Sequence, residues 1–211
     1  MSAISTDTKN LVESEMMVYT AIAVALCILV LLVTTDSFLI PILFMISIGL
    51  AVIYNLGSNI IQGEISYITM ALVAILQLGV TMDYSIFLYH SYKEQQEEYE
   101  DSKEAMAHAI AATIVSVTGS SLTTIAGFLA MCFMTFALGL DMGVVMAKGV
   151  VLGVICCVTV LPSLILVFDK WVKKTEHKAI HIKGEKLTKL ITKIYPVIAI
   201  LMVVLSIPAI H

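Results

Sequence analysis

Polar residues divide the chain into long apolar runs. A helix needs about 20 apolar residues to cross a bilayer, and on that criterion the runs predict six membrane-spanning helices at 16–34, 38–56, 65–90, 111–137, 141–168 and 194–210. The expected fold is all-α, a polytopic membrane helix bundle. The short polar breaks "TTDS", after the first run, and "GLDM", between the fourth and fifth, predict tight hairpins between antiparallel neighbours. Pro41 falls in the first turn of the second run, where its missing N–H is harmless. Pro162 lies deep in "VTVLPSLIL" and is expected to kink or soften the fifth helix.

Two longer polar segments separate spans. Lys93 to Ala109, "KEQQEEYEDSKEAMAHA", is acidic and then alanine-rich, the composition of a surface helix. Trp171 to Lys193 is lysine-rich, and short lysine-rich loops stay on the cytoplasmic side. Alternation then places 91–110 and 169–193 in the cytoplasm. The N-terminus becomes extracytoplasmic, as does the loop 57–64, with Asn55, Asn59, Gly57 and Gly63 marking it. The expected organisation is a tail at 1–15, a five-helix membrane domain at 16–168, a linker at 169–193 and the start of a further span at 194–211. An outside N-terminus without a signal sequence, and a last span leading outward, are expected of a piece of a longer protein.

Composition narrows the function classes. The chain has 211 residues, 59% apolar and 13% charged, against about 25% charged in soluble domains. Every basic residue is lysine and the net charge is -4, so no guanidinium clamp exists and nucleic acid is excluded as an expected partner. Cys27, Cys132, Cys156 and Cys157 sit in apolar runs, where they pack as small hydrophobes. No disulfide, metal site or cofactor is read from them. Nothing pairs a base with a nucleophile at recognisable spacing, so an enzyme is not expected.

The candidate chemistry centres on Asp83, in "LQLGVTMDYSIFLYH". An ionised side chain at the bilayer centre costs about 2.5 to 3.5 kcal/mol on insertion scales. Desolvation favours the protonated acid, so such a carboxylate is suited to taking up and releasing protons. On a helix Gly79, Phe87 and His90 share its face, with Tyr84 next along the chain. Gly79 is expected to let a neighbouring helix approach, Tyr84 to act as donor or relay, and His90 to exchange protons at the cytoplasmic end. The fourth run, "ATIVSVTGSSLTTIAGF", supplies candidate partners in Ser116, Ser120, Ser121 and Thr124. Ser116, Ser120 and Thr124 lie four apart, as do Gly119, Thr123 and Gly127, giving two small or hydroxylated stripes that suit close helix packing in lipid. Lys148 is a second charge inside a span, about 10 Å below Asp141. Snorkelling and an intramembrane ion pair are both open to it. Gly149 and Gly153, just beyond, form a G-x-x-x-G pair, a weak signal alone.

The strings "GEISYITMALVAILQLGVTMDYSIFLYHSYKEQ", "SVTGSSLTTIAGFLAM" and "GVVMAKGVVLGVICCVTVLPSLILVFDK" resemble the MMPL family of the resistance-nodulation-division (RND) superfamily, bacterial inner-membrane exporters of lipids and hydrophobic compounds, some of them drugs. Family members have two halves, each with one helix, a porter domain and five further helices. The resemblance implies that 16–168 corresponds to helices two to six of the first half and the last span to helix seven. It implies that 1–15 is the end of the porter domain and that Asp83 and Tyr84 form the proton relay, with an unassigned hydroxyl from the Ser116–Thr124 region beside them. The partners it implies are protons, membrane lipids, a hydrophobic or lipid substrate, and the missing second half or a homo-oligomer. The five-helix block also resembles the sterol-sensing domain, a lipid-binding module without transport, which stands as the alternative.

Overall fold

The computed structural model describes residues 3–59, 67–135, 137–175 and 194. The chain separates into two units, Met1–Ala179 and Ile180–His211, and only the first is described below. The lysine-rich segment beyond 175 and the sixth expected span lie outside the described residues, Ile194 excepted.

The first unit is built from α1 (Ala3–Thr34), α2 (Leu39–Ser58), α3 (Tyr67–Gln95), α4 (Ser102–Met131), α5 (Ala137–Val167) and the short α6 (Asp169–Lys174). In lipid every backbone polar group must be satisfied within the chain, which favours continuous helices through apolar runs. Among the described residues four helical stretches are long and apolar enough to cross a membrane: Leu39–Ser58, Leu72–Gln95, Ser102–Met131 and Leu138–Val167. Val18–Thr34 is a shorter apolar stretch. The fold is thus the expected all-α membrane bundle. In it α5 packs against α2, α3 and α4, while α1 lies against α2 and α3. Leu31, Phe44, Leu88, Leu161 and Ile165 fill the core between them. Phe44 and Tyr89 meet edge to face at 5.9 Å.

The contact that sets the bundle is a seam between parallel α3 and α5. Thr69, Val73, Gln77, Thr81 and Ser85 lie four apart on α3 and are all buried. Val145, Gly149, Gly153 and Cys157 repeat the spacing on α5. Thr69 donates to Asp141 Oδ2 at 2.7 Å and Gln77 Nε2 to the Gly149 carbonyl at 3.1 Å, each pair separated by 72 positions. A Cβ on Gly149 would lie 3.0 Å from Gln77 Oε1, and one on Gly153 only 2.5 Å from Thr81 Oγ1. The two glycines therefore let α5 lie directly on the polar ridge of α3. From α2, Asn55 Nδ2 donates to Gln77 Oε1 at 2.8 Å and to the Val145 carbonyl at 3.2 Å, tying a third helix into the same layer.

Several boundaries differ from the sequence reading. The expected N-terminal tail continues α1 back to Ala3, consistent with the lack of Gly or Pro between 3 and 34. The expected surface helix at 93–109 is divided between the end of α3 and the start of α4, across a turn at 96–101. Asp101 caps the new helix, accepting from the Lys103 N–H at 3.2 Å, and Tyr99 stacks on His108 at 4.3 Å. The α4–α5 break comes before "GLDM", with α4 ending at Met131 and α5 beginning at Ala137. Within that string Gly139 is helical, and with Gly143 it brings α5 close to the end of α4: a Cβ on Gly143 would lie 2.6 Å from the Phe128 carbonyl. Pro162 does not end α5, which runs on to Val167. Hydroxyls of Thr159 and Ser163 bond back within the same turns, to the Ile155 and Thr159 carbonyls.

The α1–α2 turn, the start of α4 and α6 meet at one end of the bundle. Ser37 donates to the Val172 carbonyl at 3.2 Å and shares a 2.7 Å hydrogen bond with Thr175. Ser102 donates to Asp169 at 3.2 Å, and Lys173 pairs with Asp169 at 2.8 Å.

Gly153→Leu is expected to force the seam apart and lower stability by about 1 to 3 kcal/mol, read as a lower melting temperature in detergent. Gly127→Leu, where a Cβ meets open space, is expected to leave it unchanged. Gln77→Leu is expected to cost about 1 kcal/mol, the scale of interhelical hydrogen bonds in membranes. Adding Asn55→Leu is expected to cost less than the sum of the two single changes, because removing both partners leaves neither one orphaned.

Candidate functional site

Asp83 stands at the midpoint of the apolar stretch Leu72–Gln95. It lies two residues from Thr81 and two from Ser85, hence about 200° around the helix from each. The seam is on one face of α3 and the carboxylate on the other. The residue is exposed at the side of the bundle, so the expectation of an acid buried among these helices is corrected: it is at apolar depth yet on the outer wall. Tyr84, one residue on, is turned inward and buried in the core.

Between α3 and α4 a groove of about 470 Å³ is lined by Val80, Asp83, Tyr84, Phe87, Ser116, Val117, Ser120 and Thr124. Three of the four proposed hydroxyl partners are therefore brought to the acid's groove. Ser121 is not among its lining; it is buried on another face of α4. His90 is exposed nearer the end of α3 and does not line the groove either.

Three of the four hydroxyls bond to their own helix. Ser120 donates to the Val117 carbonyl at 3.1 Å, Ser121 to Thr118 at 2.9 Å and Thr124 to Ser120 at 3.0 Å. Such back-bonding leaves each oxygen able to accept a hydrogen bond from the groove. Gly79, expected to admit a neighbouring helix, meets nothing: a Cβ there would find open space, as at Gly119 and Gly127. Among the described residues, then, none of these three glycines serves a close helix approach.

Lys148 occupies a separate place. The seam register puts it level with Leu76, seven residues or about 10 Å along the axis from Asp83. Its Nζ donates to Asn59 Oδ1 at the end of α2. Its hydrogen-bond partner among the described residues is thus a neutral amide, and an ion pair with an acid on a helix outside this sequence stays open. The amine does run toward the helix ends, as a snorkelling lysine would, but it finds a protein partner there.

The sequence reading missed the polar layer of Thr69, Gln77 and Asp141 and misplaced Asn55, while Asn59 does lie just past the end of α2. Asn55 was expected at an outer loop and is instead fully buried inside α2. The four-residue spacing of Thr69, Gln77, Thr81 and Ser85 was the available signal. All four cysteines are free thiols.

Comparison with known proteins follows the same lines. The MMPL family model matches residues 1–206. The chain is 30% identical over 160 residues to the putative membrane protein ActII-3 of Streptomyces coelicolor, covering 72% of this chain and 22% of that protein. It is 27% identical over 101 residues to the mycolic acid-containing lipids exporter MmpL11 of Mycolicibacterium smegmatis, covering 47% of this chain and 11% of the exporter. It is 23% identical over 205 residues to the membrane protein YdfJ of Bacillus subtilis, covering 90% of this chain and 28% of YdfJ. The chain thus spans less than a third of the length of each of these relatives. With its apolar helices, its Asp-Tyr pair at mid-span and a match over nearly its whole length, this multi-pass membrane protein belongs to the MMPL family.

Proposed function

We propose that this chain is the proton-responsive part of an exporter that uses the proton-motive force to move lipids or other hydrophobic compounds, drugs among them, across a bacterial inner membrane. The observation that carries the reading is the position of Asp83, an acid at the midpoint of an apolar span and beside the hydroxyls of a second helix. An anion there is held against a cost of about 2.5 to 3.5 kcal/mol, most of which a proton removes. Protonation therefore favours a different packing at the groove than ionisation does. Because α3 is held to α5 on its other face, the response falls on the contact between α3 and α4. Tyr84, adjacent in sequence and lining the same groove, is the proposed hydrogen-bond donor of the relay, and Ser116, Ser120 and Thr124 offer acceptors along the groove.

Export of lipid by a member of the family, the M. smegmatis MmpL11, supports the cargo class. The clustering of the α1–α2 turn, the α4 start and α6 at one end supports an orientation with those turns and 169–193 in the cytoplasm and the N-terminus outside. Coverage of under a third of its relatives supports transport by a larger assembly, in which a second half or a second copy completes the site.

A second reading draws on the apolar side of the groove, where Val80, Phe87 and Val117 could hold a lipid chain. On that reading the block is a sterol-sensing-like binding module, indifferent to protons.

In inverted membrane vesicles carrying the chain in its full-length context, Asp83→Asn is expected to abolish export driven by an imposed proton gradient while leaving membrane insertion intact; undiminished export refutes the transport reading. Tyr84→Phe is expected to slow the gradient-driven rate by about a hundredfold, the lower scale of proton-transfer catalysis, with the same insertion. Lipid binding that is equal in wild type and Asp83→Asn from pH 6 to pH 8 favours the binding module.

A further inference from the structure

Lys148 and Asn59 form a second polar place in the bundle, remote from Asp83. The lysine lies ten residues into the apolar stretch Leu138–Val167, where a cation is costly unless it is used or compensated. Its hydrogen-bond partner among the described residues is the Oδ1 of Asn59, an uncharged acceptor. The C-terminal end of α2 adds only a partial negative charge. Asn59 is 4% exposed, and its Nδ2 has no hydrogen-bond partner among the described residues. A buried donor left unmade costs the desolvation of that group. Nζ contacts the oxygen end of the Asn59 carboxamide, whose other end is the buried Nδ2, so a rotation of that one side chain would turn both donors toward a single oxyanion. The carboxylate on the same face of α5, Asp141, is two turns nearer the helix start, about 10 Å off, and accepts from Thr69.

We propose that Lys148 and Asn59 bind an oxyanion of the phosphate class at this end of the bundle, supplied by a lipid head group or by free phosphate. The lysine contributes a point charge, its usual role toward phosphate. The amide contributes a second, neutral donor that fixes the ligand's orientation. Asn55 Oδ1, one turn deeper on α2 and also without a partner, is an acceptor and suits a hydroxyl or water accompanying the anion. This site carries no proton and stands whether or not Asp83 does.

The chain is purified in detergent and exchanged into nanodiscs of equal phosphatidylglycerol and phosphatidylcholine, and retained lipid is read by native mass spectrometry. Lysines outside the spans contribute equally to every variant, so the readout is the difference from wild type. Lys148→Gln and Asn59→Leu are each expected to lower phosphatidylglycerol retention about tenfold, the equivalent of one charge-assisted hydrogen bond, and Lys148→Arg to keep it. Asn59→Asp is the deciding variant. It neutralises Lys148 internally, so retention is expected to fall while the melting temperature holds or rises. A merely structural tie between α2 and α5 predicts that Asn59→Asp retains lipid as wild type does, and that result overturns the site. Inorganic phosphate added in zwitterionic detergent separates the two sources. A rise in melting temperature that Lys148→Gln abolishes assigns the site to the free anion as well, and retention without that rise assigns it to the lipid head group. Neither signal in wild type overturns the proposal.

Discussion

The parallel seam between α3 and α5 is the constraint from which the rest of the bundle follows. In lipid no hydrophobic force pulls helix to helix, so close packing and interhelical hydrogen bonds must hold them. Here both operate at once. Glycines on α5 admit the polar ridge of α3, and Gln77 bonds the carbonyl that the missing Gly149 side chain leaves open. Sliding α3 by one turn would set Gln77 against Val145 or Gly153 and break its bonds to both Gly149 and Asn55. The register is therefore specified, and with it the depth and direction of every residue on α3.

Asp83 inherits its position from that register. The seam occupies one face of α3, so the acid two residues from Thr81 and from Ser85 is turned to the opposite face. The two sides of α3 also differ in kind. Toward α5 its polar groups bond across the interface. Toward α4 the hydroxyls of Ser120 and Thr124 bond within their own helix, so no side-chain hydrogen bond across the groove is required to hold it in one form. A change of charge at Asp83 thus acts at the interface with fewer ties.

Two intramembrane charges meet different solutions. Asp83 faces a groove with weak acceptors and open space, while Lys148 is drawn to the last turn of α2 by an amide. The distance between them along the axis, about 10 Å, separates the proposed proton chemistry from the proposed anion site. The polar layer of Asn55 and Gln77 lies between the end of the bundle where α2 stops and the acid, and both side chains are fully buried.

The run of apolar residues by itself determined that this is a helical membrane bundle, because only internally bonded backbone is tolerated in lipid and the runs have the length of a span. It also singled out Asp83, Tyr84 and Lys148, since a charge or polar pair inside an apolar run is visible without coordinates. Helix ends were less legible: Ser102–Ala109 has the composition of a surface helix and of a span's continuation alike, and the Asp101 cap and the Tyr99–His108 stack decided the matter. Which way a side chain faces was settled only by tertiary packing. Asn55 seemed a loop residue and is a core one; Asp83 seemed buried and stands on the bundle's side; Gly79 meets open space whereas Gly149 and Gly153 sit under polar side chains. Periodicity assigns residues to a common face of a helix, but it does not say which face meets a neighbour. That depends on how the ridges of one helix fill the gaps of another.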